Sequence, residues 1–166
     1  MKTITIVRHA KSSWDNPDVN DFERPLNARG FADAPIIADR ISKLMKLPDL
    51  FMSSPALRAK TTAEIFVEKF GVPVSKIVLD KDIYDKGSKY IMEFIKNLDE
   101  KIESVIIFGH NPDITSLATY YSGNYFDNIP TCGVVCLDFD SNNWQDTFTN
   151  NGKIRFYEYP KKSIYN

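Results

Sequence analysis

Apolar positions along this chain follow two different periods. Ile4-Thr5-Ile6-Val7, Leu50-Phe51-Met52, Ile77-Val78-Leu79 and Ser104-Val105-Ile106-Ile107-Phe108 are short runs rich in β-branched residues and read as strands. The last is continuously apolar, as expected of a strand covered on both faces. Between these runs the spacing turns helical. Asn27 caps a helix carrying Phe31, Ala34, Ile37, Ala38, Ile41 and Leu44-Met45, and Pro35 inside it predicts a kink or restart. Ser54 as cap and Pro55 as first helical residue open a second, with Ala56, Leu57, Ala59, Ala63, Phe66, Val67 and Phe70 on it and Gly71 ending it. A third follows Gly87 with Tyr90, Ile91, Phe94, Ile95 and Leu98 on one face. Asn111 as cap, Pro112 as first helical residue and Asp113 near the positive end start a fourth, which Gly123 stops. Val134 to Phe139 and Lys153 to Tyr159 are two further strands with no helix between them, a place for an antiparallel pair. Strands alternating with helices predict one α/β domain over residues 1–166 with a largely parallel sheet.

Composition narrows the function without naming it. A length of 166 residues is enough to bury a proper core. A net charge of −1 gives no footprint for nucleic acid, and no apolar run is long enough to span a bilayer. The N-terminus lacks a signal-peptide pattern, so a cytoplasmic, reduced, monomeric protein without nucleic-acid or membrane partners is expected. Cys132 and Cys136 fall on one face of a strand and read as small buried hydrophobes; with no Cys or His partners nearby they do not suggest zinc.

Candidate chemistry gathers where predicted strands end. Arg8-His9 follows the first strand, Ser54 to Arg58 the second, an acidic loop over 80–85 the third, and Gly109-His110-Asn111 the fourth. In open α/β sheets ligands bind just outside the carboxyl ends of strands. The chain has two histidines, and both stand at such ends. Arginine offers a rigid fork of donors suited to phosphate, and a neutral imidazole is a nucleophile. Arg58 lies in the first turn of its helix, where a cation is unfavourable unless an anion joins it. These features suggest chemistry on a phosphoryl group.

Four ordered motifs make the suggestion specific. They are Arg8-His9-Ala10-Lys11-Ser12-Ser13-Trp14, Arg24-Pro25-Leu26-Asn27-Ala28-Arg29-Gly30, Ser53-Ser54-Pro55-Ala56-Leu57-Arg58-Ala59-Lys60-Thr61 and Gly109-His110-Asn111-Pro112. With them the chain resembles the histidine phosphatase superfamily, and within it the short bacterial SixA-type phosphohistidine phosphatases. The resemblance implies a phosphoglycerate mutase-like, three-layer α/β sandwich. It implies that His9 takes up the phosphoryl group, that Arg8, Arg58 and His110 bind its oxygens, and that Ser12 adds a hydrogen bond. It also implies a proton donor after the third strand, where Asp82 stands first and Asp85 second. No cofactor or metal is required by this scheme. Ala10 replaces the commoner Gly, and Asp15 stands where many members have Asn, which leaves that phosphate contact open.

Other readings fit less of the chain. Asp138-Phe139-Asp140 resembles the nucleophile loop of magnesium-dependent haloacid-dehalogenase-type phosphatases, but it comes late and reads as a hairpin turn. No Cys–Arg pair has the spacing of cysteine phosphatases, and no P-loop is present. A binding module without turnover is a further alternative, against which the retained His9 argues. Between Arg58 and His110, the third strand and one helix consume most of the chain and leave little for a lid. An open site of this kind suits phosphohistidine on a protein surface, with small phosphate esters as the alternative substrates.

Overall fold

The computed structural model describes residues 1–162. A six-stranded sheet is built from β1 (Lys2–Arg8), β2 (Leu50–Ser53), β3 (Ile77–Leu79), β4 (Ser104–Gly109), β5 (Val134–Phe139) and β6 (Lys153–Glu158), in the order β3-β2-β4-β1-β5-β6. Strands β3, β2, β4 and β1 are parallel neighbours. Strand β5 runs antiparallel to both β1 and β6, with a register shift between Cys136 and Leu137. The last two strands, joined by a segment that contains only a 3-10 turn at Gln145–Phe148, thus form the antiparallel pair expected.

Helices α1 (Ala28–Leu44) and α2 (Leu57–Lys69) bury one face of the sheet; α3 (Lys81–Asp85), α4 (Gly87–Lys96) and α5 (Asp113–Ser122) bury the other. Period-two alternation decides which side chain goes where. Ile106 and Phe108 of β4 join Ile37, Ile41, Ala63 and Phe66 on the first side. Val105 and Ile107 join Ile91, Ile95, Ile114 and Leu117 on the second. The result is a three-layer α/β sandwich.

Some local expectations need correction. Pro35 neither kinks α1 into two helices nor restarts it: the helix is continuous through seventeen residues. Proline removes only one intrahelical donor, and Ala34, Ile37, Ala38 and Ile41, all fully buried, hold both halves to the sheet. Asn27 caps α1 as expected, accepting from the Gly30 N–H at 2.8 Å. Gly30 lies against the loop after β1: a Cβ there would meet the Lys11 carbonyl oxygen at 2.2 Å. The second helix begins at Leu57 rather than Pro55, because the Ser54 hydroxyl accepts from the Ala56 N–H, before the helix, at 3.2 Å. The acidic stretch after β3 is not a loop but contains α3, capped by Asp80, whose Oδ1 accepts from the Asp82 N–H at 2.9 Å. Helix α5 begins at Asp113, with Pro112 in the capping position, while the Asn111 side chain accepts from the Thr115 N–H at 3.2 Å. Cys132 precedes β5 with φ of 60°, so only Cys136 lies in a strand; both thiols are free and buried.

Candidate active site

Because β1, β2, β3 and β4 are parallel, their carboxyl ends lie on one edge of the sheet, with β1 and β4 adjacent at its centre. Each of these four strands hands over to polar residues there: His9, Ser54, Asp80 and His110. The backbone around His9 stays paired after the strand ends. The His9 N–H donates to the Gly109 carbonyl at 3.1 Å, and the Cys132 N–H donates to the carbonyls of Arg8 and His9 at 3.1 and 3.0 Å. The Ala10 N–H donates to Thr62 Oγ1 at 3.0 Å, and that hydroxyl donates to the Arg58 carbonyl at 2.7 Å. Thr62 thus ties the end of β1 to the first turn of α2, which carries Arg58.

The His9 and His110 rings lie 5.3 Å apart, centroid to centroid, at 52°. His9 Nδ1 lies 2.7 Å from the Ala10 carbonyl oxygen. A carbonyl can only accept, so in the neutral ring Nδ1 holds the proton and Nε2 carries the free lone pair. Burial pushes the His9 pKa down to about 3; the Ala10 hydrogen bond works in the opposite direction, and the positive charge of His110, Arg58 and Arg8 adds to the fall. Burial, followed by the Arg58 charge, pushes His110 down to about 4. Both rings are neutral at physiological pH. A neutral His9 with a bare Nε2 has the lone pair a nucleophile needs, and a neutral His110 can donate or accept.

Both arginines are held by their tips. Arg8 Nη1 donates to the Ile129 carbonyl at 2.9 Å. Arg58 Nη1 donates to the Asp21 carbonyl at 2.5 Å and Nη2 to Asp21 Oδ2 at 3.0 Å. On the other side of each guanidinium, Arg8 Nε and Arg58 Nε are buried with no partner, and so is His110 Nδ1. Buried polar atoms are nearly always paired, so three orphans on the residues around one histidine define a place for an acceptor-rich group. A phosphoryl group, with its charge spread over equatorial oxygens, meets that requirement.

The structure thus brings together Arg8, His9, Arg58 and His110. Ser12 lies deeper in the loop, where its hydroxyl accepts from Arg24 Nη1 at 2.8 Å. Asp15 is exposed, and its N–H donates to Ser13 Oγ at 3.1 Å. Asp82 lies in the first turn of α3 with its carboxylate on Lys86 Nζ at 2.9 Å, and Asp85 pairs with Lys81 at 3.8 Å. From the same short helix the Tyr84 ring packs edge-on against His110 at 5.4 Å. Among the described residues no group of three or more His, Cys, Asp or Glu side chains converges as a metal site.

Sequence reasoning missed Asp21. It accepts from Arg58 Nη2, from the Tyr84 hydroxyl at 2.7 Å and, through Oδ1, from Arg24 Nε at 3.2 Å. Arg24 in turn stacks its guanidinium 3.5 Å above the centroid of the exposed Trp14 ring. Burial works upward on the Asp21 pKa, but the hydrogen bonds from Tyr84, Arg58 and Arg24 outweigh it and hold it down at about 2. An ionised carboxylate in this position fixes Arg58 and is a poor proton donor. No periodicity links residue 21 to residue 58; the only signal was a carboxylate three residues before Arg24, which opens the second of the four motifs.

Known proteins resemble this chain in sequence and in fold. Residues 4–81 match the profile of the histidine phosphatase superfamily (branch 1). An uncharacterized chloroplastic protein of Arabidopsis thaliana is 28% identical over 99% of this chain and 80% of its own length. A SixA phosphohistidine phosphatase candidate from Agrobacterium tumefaciens superposes with a TM-score of 0.79 at 29% identity, covering 96% of this chain and 98% of that one. The protein histidine phosphatase SixA solved in complex with tungstate superposes with a TM-score of 0.74 at 21% identity, covering 95% and 97%; it supports the fold alone.

Proposed function

We propose that this chain, whose residues 4–81 match the profile of the histidine phosphatase superfamily (branch 1), is a phosphatase working through a phosphohistidine on His9, with protein-borne phosphohistidine as substrate. The observation that carries the reading is the set of three buried, unpartnered groups, Arg8 Nε, Arg58 Nε and His110 Nδ1, around a histidine whose Nε2 lone pair is free. The lone pair of His9 Nε2 attacks phosphorus, and the bond from phosphorus to the leaving nitrogen breaks. Arg8, Arg58 and His110 hold the three equatorial oxygens as negative charge develops on them. Water then attacks the phosphohistidine, inorganic phosphate leaves, and the electron pair returns to Nε2. Two low barriers replace one high one.

The leaving group favours a nitrogen-linked phosphoryl. A departing imidazole is protonated near neutrality, whereas an alkoxide depends on a positioned acid. Asp21 is held ionised, and Asp82, the proposed donor for ester substrates, must first leave Lys86. A surface groove of about 760 Å³ beside α5 is lined by Asn111, Tyr120, Tyr125 and Asn128 among others, and Asn111 directly follows His110 in the chain.

Rapid quench with a phosphohistidine protein is expected to trap an acid-labile, alkali-stable phosphoenzyme that disappears in His9→Ala together with turnover. Turnover without such an adduct, or its persistence in His9→Ala, refutes the mechanism. Equal kcat/KM for a phosphohistidine protein and for simple alkyl phosphates refutes the substrate.

A further inference from the structure

The proton on His110 is placed by a residue outside the group that touches phosphate. His110 Nε2 lies 2.8 Å from Ser54 Oγ, and Ser54 is fully buried. The same oxygen already accepts from the Ala56 N–H at 3.2 Å. The hydroxyl proton therefore needs an acceptor, and among the described residues the hydrogen bonds of Ser54 Oγ are these two alone. If His110 carried its proton on Nε2, Ser54 Oγ would receive two donors and its own proton would be buried unpaired, at the cost of a lost buried hydrogen bond. Nδ1 would then be a bare lone pair, turned among cations but unable to donate to an anion. If instead the hydroxyl donates into Nε2, every group on Ser54 is satisfied and Nδ1 carries a proton. That is the orphaned Nδ1 of the previous section.

We propose that Ser54 is a positioning residue that sets the tautomer of His110: its hydroxyl donates to Nε2, so that Nδ1–H faces the phosphoryl group as a donor. The two rings then share one tautomer and divide the work. His9, with Nδ1–H spent on the Ala10 carbonyl, presents a bare Nε2 to phosphorus, while His110, with Nε2 capped by Ser54, presents Nδ1–H to an oxygen. The sequence logic is economical: β2 and β4 are parallel neighbours, so the residues that follow Ser53 and Gly109 leave the sheet at the same edge, and Ser54 donates its N–H to the Phe108 carbonyl at 3.0 Å. The role of His110 as an oxygen ligand rests on the function proposed above; its tautomer does not.

Two histidines make the test direct. Long-range 15N–1H correlation spectra of the 15N-histidine-labelled wild-type protein near neutral pH are expected to show both rings protonated on Nδ1. Assignment uses His9→Gln. A His110 signal protonated on Nε2 overturns the inference whatever the activity. Tungstate titration of the wild type tests the phosphoryl site itself: absent binding there, with His110 still protonated on Nδ1, counts against the function and not against the tautomer. Ser54→Ala is expected to move His110 toward the Nε2–H form, leave His9 unchanged and weaken tungstate binding by roughly 10- to 100-fold, the loss of one hydrogen bond to a charged group. Ser54→Thr, which keeps the hydroxyl, is expected to retain the Nδ1–H form. An unchanged His110 tautomer and unchanged tungstate affinity in a folded Ser54→Ala protein refute the positioning role.

Discussion

Acid should unfold this protein through its two histidines before its carboxylates matter. Both rings are almost fully buried, and their pKa values are pushed from 6.5 to about 3 for His9 and about 4 for His110. The unfolded chain therefore binds protons on both rings from pH 6.5 downward while the native state binds none until near pH 4. Stability is fully present above the unfolded pKa and is lost as pH falls through the window down to the folded values. At about pH 4.5, two units into that window, each ring costs about 2.7 kcal/mol, since one pKa unit corresponds to about 1.36 kcal/mol. Together they remove on the order of 5 kcal/mol, a large share of the roughly 5–15 kcal/mol that holds a domain. Asp21 adds nothing here, because its pKa falls from 3.8 to about 2 and its window opens only below that range. Urea unfolding in phosphate-free buffer between about pH 7 and pH 4.5 measures the loss, and proton NMR of the two ring C–H signals locates the titrations. His110→Gln should show about half the pH dependence of the wild type. Titration of both rings near pH 6.5 with flat unfolding free energy refutes the argument, since it would mean the rings are solvated in the native state.

Two further outcomes follow from the hydrogen bonds around Arg58 and α3. Asp21→Asn removes the charge on which Arg58, Arg24 and Tyr84 converge; with the side chain half exposed, solvent screening leaves a stability loss of about 1 kcal/mol at neutral pH, or about 2–4 °C in Tm. The same variant is expected to weaken tungstate binding about tenfold, because Arg58 loses the partner that fixes its Nε edge; unchanged affinity by calorimetry would show that α2 alone orients the guanidinium. Asp82→Asn is expected to lower alkyl-ester hydrolysis by roughly a hundredfold and phosphohistidine hydrolysis much less, as general acids do when leaving groups differ in basicity. Steady-state kinetics on both substrates decides this; no loss on either would leave Asp82 as the partner of Lys86 only.

The sequence by itself determined the strands, most of the helices and the parallel core, and it pointed to the strand ends as the candidate site. Hydrophobic period is a local property, and a parallel sheet brings strand ends to one edge, so Arg8-His9, Arg58 and His110 were legible as a cluster before any contact was known. The motif resemblance then supplied their roles. What only the tertiary structure decided is how the donors are aimed. Asp21 comes from a loop 37 residues before Arg58 and meets it only because the segment after β1 folds back over α2. Tyr84 reaches both Asp21 and His110 because the stretch after β3 winds into α3 instead of staying a loop. Pro35 stayed helical because packing on the sheet outweighed one missing hydrogen bond. The Ser54–His110 bond joins residues 56 positions apart. The Asp21, Tyr84 and Ser54 bonds are side-chain contacts at long separation, set by the satisfaction of polar groups, and that requirement leaves no period in the chain.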